Sequence, residues 1–124
     1  AEQIEAYRLR KYLGSYSAAL GRVDAVVFTA GAGELDWKLR ERTLEGLENI
    51  GLKLDKRKNE YLVSREREGL ISADDSPVKV FVIPTDEEIV FIEDVAAILE
   101  GKYQTHVNFI YSFEEPNYKR NEKT

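Results

Sequence analysis

Apolar positions along this chain follow two periods, and the switches between them mark out the elements. From Glu2 to Leu20, Leu9, Leu13, Tyr16 and Leu20 recur at i, i+4, i+7 and i+11. That spacing predicts an amphipathic helix, widened by Ile4, Tyr7 and Tyr12 and stopped at Gly21. Val26, Val27 and Phe28 then run consecutively with no polar alternation, which predicts a strand covered on both faces, as in a parallel sheet. Gly31 and Gly33 follow and predict a glycine-opened turn into a helix. Trp37, Arg40, Leu44, Leu47 and Ile50 stand near helical spacing and predict a second helix over about 36–49. Gly46 lies inside it and Gly51 at its stop.

Short apolar patches follow. Leu52 and Leu54 predict a short strand, 55–60 a charged turn, 61–63 another short strand, and 72–77 a loop. Val78 to Ile83 is the second strong strand, ended by Pro84, which has no N–H for a ladder. Thr85 and Glu88 have capping-box spacing. They open a third helix that runs to about Glu100, with Ile89, Val90, Ile92, Val95, Ala96 and Leu99 on its buried face and Gly101 as its stop. Val107, Phe109, Tyr111 and Phe113 alternate and predict a strand over 106–113, and the residues after Pro116 are polar. The order is α/β, with the two strong strands expected to be parallel.

Composition narrows the function classes. The 124 residues have room for one domain with one modest core. Cysteine is absent, which removes disulfides, thiol nucleophiles and cysteine metal sites and fits a cytoplasmic setting. The net charge of −5 argues against nonspecific nucleic-acid binding. No apolar run is long enough for a membrane span, and no signal-peptide pattern opens the chain. Methionine is absent even from position 1, so the chain is expected to be processed, trimmed or cut from something longer.

The candidate chemistry lies at the end of the first strand. A Gly-x-Gly after a strand is a tight turn or a cradle for a nucleotide; the pattern alone favours the turn, and neither a third fingerprint glycine nor a Gly-Lys-Ser/Thr is present. Arg8, Arg10, Lys11 and Arg22 read as a solvated helix face more readily than as a phosphate patch. Trp37 reads as a packing residue before a stacking platform, and His106, the one histidine, has no second ligand nearby in sequence. Glu87 on its own reads as an acidic residue of a first helical turn, favoured by the helix dipole.

Four motifs in order resemble the acetate kinase family. VDAVVFTAGAGE at 23–34 is similar to that family's adenosine motif, VDAIVFTxGIGEN. YRLRKYLGSY at 7–16 resembles its YRxxKYIGxY helix, GLENIGLKLD at 46–55 its GLxxLGIxLD stretch, and VIPTDEE at 82–88 its VIPTNEE. The resemblance covers about residues 4–100 and corresponds to the last third or so of a family member. The implied fold is a partial ribonuclease-H-like, actin-like ATPase domain, the C-terminal part of the second domain of an acetate kinase. On that basis 1–101 form an incomplete nucleotide-binding domain and 102–124 an extension past the usual family ending.

The resemblance also implies the chemistry: reversible, Mg²⁺-dependent phosphoryl transfer from ATP to acetate or propionate, giving ADP and the acyl phosphate. Gly31, Ala32, Gly33, Glu34 and Leu35 would wrap the adenosine, and Glu87 would help hold Mg²⁺, directly or through water. Ala32 and Leu35 depart from the family's isoleucine and asparagine, and Asp86 from its asparagine. The family's arginines, aspartate, histidine and N-terminal asparagine of catalysis fall upstream of Ala1, so this chain supplies no catalytic residue and is expected to be inert alone. The expected partners are the missing N-terminal part and a second copy, with no nucleic acid and no membrane. The alternatives are a detached, non-catalytic nucleotide-binding or dimerisation module and, less in keeping with four ordered motifs, an unrelated small α/β nucleotide-binding domain. The free edge of the first strand is expected to be covered by another chain, by the tail strand or by a rearrangement.

Overall fold

The computed structural model describes residues 2–103 and 110–119. These form two compact units, Ala1–Thr85 and Asp86–Thr124.

The first unit opens with α1 (Glu2–Leu20) and β1 (Ala25–Phe28), continues through the short α2 (Ala30–Leu35) and α3 (Trp37–Leu44), and turns at a 3₁₀ segment, Glu48–Ile50. α4 (Lys56–Tyr61), β2 (Gly69–Leu70) and β3 (Lys79–Val82) complete it. The sheet order is β1-β3-β2. β1 and β3 are parallel, as expected, with Val26 opposite Val80 and Phe28 opposite Val82, while β2 pairs antiparallel with β3. Leu54 makes an isolated antiparallel bridge to Ser72 where a short strand was expected. Phe28, Leu44, Leu52, Leu62, Ile71, Val78, Val80 and Val82 form the core, with Leu13, Val23 and Val26 packed against it.

The structure corrects several expectations. β1 is not covered on both faces: Val27 is 47% exposed and only Phe28 is buried, because among the described residues β1 has a neighbouring strand on one edge only. α1 buries Ala6 and half-buries Leu9, Leu13 and Ser17, while Ile4, Tyr7, Tyr12, Tyr16 and Leu20 are exposed. Packing against α3 selects a stripe one step round from the tyrosines. The second helix ends at Leu44, not Asn49, since Gly46 takes a positive φ of 73° and breaks it. The charged stretch 55–60 is not a turn. Asp55 accepts hydrogen bonds from the N–H groups of Arg57 and Lys58 and so caps α4, which also takes up Tyr61 in place of a strand.

The second unit consists of α5 (Glu87–Leu99) and a 3₁₀ turn, Ser112–Glu114. Of α5 only Ala97 is buried; Phe91, Ile92, Val95, Ile98 and Leu99 are exposed, against the expected buried face. Of the expected strand over 106–113, residues 106–109 lie outside the described residues, while Ser112 and Phe113 are in the 3₁₀ turn. Tyr111 donates from its hydroxyl to Asp94 at 2.8 Å, and the N–H and hydroxyl of Ser112 both donate to Glu93, so the tail is held on α5.

Candidate functional site

The chain leaves β1 at Thr29, which is extended, with φ of −148° and ψ of 175°. Ala30 then takes φ of 61°, the only non-glycine residue with positive φ among the described residues. The reversal is therefore made at Ala30, and the two glycines are not the turn. Gly31 and Gly33 lie in the helical turns of α2, and neither has positive φ. What Gly33 supplies is close approach. A Cβ built there would sit 3.3 Å from the carbonyl carbon of Phe28, which is main chain and cannot swing aside. Gly31 has open space where a Cβ would stand.

The five residues Gly31–Leu35 thus lie in one short helix, Ala30–Leu35, folded back on the end of the strand. Gly31, Ala32 and Leu35 are exposed, Gly33 is half-buried and Glu34 is buried at 3% exposure. Ala32, Gly33 and Thr29 line one wall of a groove of about 340 Å³, whose other walls include Tyr12, Tyr16 and Val27. The groove is mostly apolar, as a site for a base or a packed segment needs to be.

α2 is fixed from beneath by a residue read from the sequence only as a point of helical spacing. Arg40, on α3, is fully buried. Its Nη1 donates to the carbonyl oxygens of Gly33 at 2.7 Å and Glu34 at 2.9 Å. Its Nη2 donates to the carbonyls of Asn59 at 2.9 Å and Leu62 at 2.7 Å, and its Nε to Asn59 Oδ1 at 2.7 Å. Asn59, also fully buried, donates in turn from Nδ2 to the Trp37 carbonyl at 2.9 Å. Burial lowers the Arg40 pKa from its usual value and Asp36 partly opposes this. The guanidinium is charged at neutral pH in any case. It closes carbonyls at the C-terminal end of α2, where the helix leaves them unpaired and the dipole favours a cation. The signal in sequence was an arginine on an apolar helix face with an asparagine downstream, which periodicity alone cannot tell from a solvated residue. Trp37 itself is half-buried, with Lys38 over its ring.

Glu34 projects inward. Its Oε1 accepts a hydrogen bond from the N–H of Thr85 at 2.8 Å and another from the Thr85 hydroxyl at 3.1 Å. Thr85 is therefore engaged with α2 and does not cap α5. The N-cap position falls on Asp86, whose side chain makes no capping hydrogen bond. The expected capping box is absent because α5 starts one residue later than expected, which puts Asp86 and not Thr85 at the N-cap position. Glu87 is the first residue of α5 and exposed, with Glu88 beside it in the first turn. Both carboxylates suit the positive end of the helix dipole. Among the described residues no group of three or more His, Cys, Asp or Glu side chains converges on a point that could hold a metal ion by itself. No helix among them is long and apolar enough to cross a membrane.

The chain is 62% identical over 120 residues to the acetate kinase of Geobacter metallireducens, covering 97% of this chain and 28% of that protein. It is 51% identical over 119 residues to the acetate kinase of Treponema pallidum, covering 95% and 27%. The chain thus spans about a quarter of the length of the curated relatives it matches, and those matches take in the tail. Among solved structures, that of Porphyromonas gingivalis acetate kinase superposes with a TM-score of 0.63 at 41% identity, over 76% of this chain and 23% of that one. That of a propionate kinase from Francisella tularensis gives 0.57 at 32% identity, over 67% and 20%. The model of the acetokinase family matches residues 1–93, which include β1, α2, Arg40, Thr85 and Glu87, and with that match the chain belongs to the acetokinase family.

Proposed function

We propose that this chain acts as the C-terminal part of an acetate kinase, holding the adenosine of the nucleotide on α2 and contributing one carboxylate, Glu87, to Mg²⁺. The observation that carries the reading is the helix Ala30–Leu35, set at the carboxyl end of a parallel strand with Gly33 pressed on Phe28 and its last carbonyls closed by Arg40. The carboxyl end of a parallel strand is where open α/β sheets receive nucleotides. A loop that is stiff before the ligand arrives loses less conformational freedom on binding. Gly31, Ala32, Gly33, Glu34 and Leu35 are the residues assigned to the adenosine. The ribonuclease-H-like parentage of the sheet belongs to the same reading.

For the metal, Glu87 fits in kind. Mg²⁺ takes oxygen donors, keeps several waters and is commonly held by one or two carboxylates together with substrate phosphates. One exposed glutamate at a helix start is enough for this chain's share. Glu87 would supply one oxygen ligand, and the ion so held would supply positive charge against the charge that develops as the γ-phosphoryl moves. In that reaction an acetate or propionate oxygen forms the new bond to γ-phosphorus, the bond to the ADP oxygen breaks, and ADP leaves. The chain's own residues bind and orient the nucleotide. The groups that stabilise the transferring phosphoryl come from the remainder of the kinase, so the chain alone is inert. A cytoplasmic homodimer completes the reading.

The test is a calorimetric titration of the chain with ADP and Mg²⁺, with Gly33→Val as control, alongside an acyl-phosphate assay. Saturable binding that the control loses, with no turnover, is the expected result. Turnover by the chain alone, or binding indifferent to Gly33→Val, overturns it.

A further inference from the structure

We propose that the groove between α1 and β1 seats a β-strand from the remainder of the kinase, which pairs with the open edge of β1 and buries the rings of Tyr12 and Tyr16. The proposal rests on the functional reading above, which makes this chain one part of a longer enzyme. It goes beyond that reading by giving the groove to a packed segment and leaving the adenosine to the outer face of α2.

α1 carries two apolar stripes, and only one of them has a partner. Ala6 is buried and Leu13 packs on the core. Tyr12 and Tyr16 are 50% and 64% exposed, with their rings stacked at 6.2 Å between centroids. They form one wall of the groove of about 340 Å³, whose floor includes the buried Phe28, Leu39 and Thr43. A large apolar patch open to water in this way marks an interaction surface.

The chemistry of the groove selects its occupant. Val26, Val27 and Phe28 all line it. Successive strand residues point to opposite faces, so a groove that touches all three wraps the edge of β1. The ladder to β3 turns the N–H groups of Ala25 and Val27 to that edge, and no strand among the described residues pairs there. The occupant has to accept those main-chain hydrogen bonds and lay apolar side chains on the two tyrosines, and a strand does both. A purine needs a few convergent polar groups instead. Here Glu5 is the one charged residue of the lining, and the Thr43 hydroxyl already donates to the Leu39 carbonyl.

Length separates the two sources of such a strand. The groove runs beside α1 from Glu5 to Tyr16, about 17 Å at the helical rise. That takes a strand of about five residues. β1 of a second copy has four residues, bounded by the Arg22–Asp24 ion pair and the reversal at Ala30, so it falls short. The Geobacter metallireducens acetate kinase extends far beyond the 28% of it that this chain matches, and that excess has the chain to supply the strand.

The experiment reads ring exposure by nitration with tetranitromethane, followed residue by residue by mass spectrometry, with free tyrosine amide as the rate reference. It compares this chain alone, this chain with ADP and Mg²⁺, and a full-length enzyme in which this chain replaces the matched segment of the Geobacter metallireducens acetate kinase. Tyr12 and Tyr16 are expected to react readily in the chain with or without ADP and to slow by an order of magnitude or more in the chimera. Tyr16→Ser, which changes helix propensity little, is expected to leave the melting temperature of the chain unmoved and to lower that of the chimera. Tyrosines that stay reactive in an active chimera, or a Tyr16→Ser loss equal in both proteins, overturn the docking and leave the kinase reading intact. Protection by ADP alone gives the groove to the base, and protection that grows with the concentration of the chain gives it to a second copy; each overturns the proposal. An inactive chimera with protected tyrosines overturns the kinase reading and leaves the docking standing.

Discussion

Arg40 Nη1 lies 2.7 Å from the carbonyl oxygen of Gly33, so the base of the candidate adenosine helix rests on a fully buried guanidinium. That contact makes the site and the core one structure. Five hydrogen bonds leave Arg40, four of them to main-chain carbonyls. Truncating the side chain leaves those acceptors buried and unsatisfied. Arg40→Leu is expected to cost about 3–5 kcal/mol of unfolding free energy, read from urea denaturation. Arg40→Lys is expected to be nearly as damaging, because one ammonium has three donors and no planar fork. A loss below about 1 kcal/mol for both would mean that water or Asn59 satisfies the carbonyls instead.

The turn residue before α2 leads to a second prediction, which separates three neighbouring positions. Ala30 has φ of 61°, a region where an L-residue with a Cβ is strained. Ala30→Gly relieves that strain and adds some unfolded-state freedom, for a net gain of about 0.5–1 kcal/mol. Gly31→Ala meets open space in a helical turn and is expected to raise stability by about 0.4–1 kcal/mol. Gly33→Ala meets the Phe28 main chain and is expected to lower stability and shift α2 outward. Thermal melts rank the three, and ADP titration then shows whether Gly31→Ala, with its fold intact, loses binding because the ligand needs that space.

The sequence made the parallel strands legible, because Val26–Phe28 and Val78–Ile83 are continuous apolar runs that few other elements tolerate. α1 and α5 were also visible as periodic segments. Which face of each would be buried was not, because both carry apolar residues around more than one face. Tyr12, Tyr16, Phe91 and Leu99 are as hydrophobic as the residues that pack. α4 was hidden by its charges; Asp55 before Lys56 was its one signal, a capping aspartate that the flanking basic residues masked. The resemblance put the candidate site on Gly31–Leu35, while local pattern gave the wrong turn residue. Ala30 bends where glycine chemistry pointed to Gly31 and Gly33. Arg40, Asn59 and the Glu34–Thr85 link were out of reach, since each joins residues distant in sequence through polar groups that composition reads as surface.

Tyr111 provides a spectroscopic check on the second unit. Desolvation, with the hydrogen bond to Asp94 next, pushes its pKa up from 10.0 to about 12. The neutral phenol is the form the fold prefers. Its contribution to holding the tail on α5 is therefore complete below pH 10 and lost as pH rises through about 12. Ultraviolet titration of the chain's seven tyrosines is expected to show one late ionisation that Tyr111→Phe removes. Asp94→Asn is expected to bring it earlier by removing the charge that opposes the phenolate. A titration in which Tyr111→Phe removes an ordinary step near pH 10 would mean that the tail leaves α5 in solution.

The open edge of β1 makes the most direct statement about the rest of the kinase. Lys79 N–H donates to the carbonyl of Asp24, and Ile83 N–H to that of Phe28. In a parallel ladder this sends the even-numbered residues of β1 toward β3 and turns the N–H groups of Ala25 and Val27 to the other edge. No strand among the described residues pairs there. An unpaired edge beside an exposed valine and the tyrosines of α1 is a surface that proteins cover or blunt. Here no proline or charged residue lies within β1 to blunt it. The expected cover is a strand from the remainder of the kinase. Hydrogen exchange tests this residue by residue. The Ala25 and Val27 amides are expected to exchange quickly in this chain alone and to slow by orders of magnitude in the chimera with the Geobacter metallireducens enzyme. Val26 and Phe28 serve as internal references, protected in both. Fast exchange at Val27 in an active chimera would show that the assembled enzyme leaves this edge open and that the kinase parts meet elsewhere.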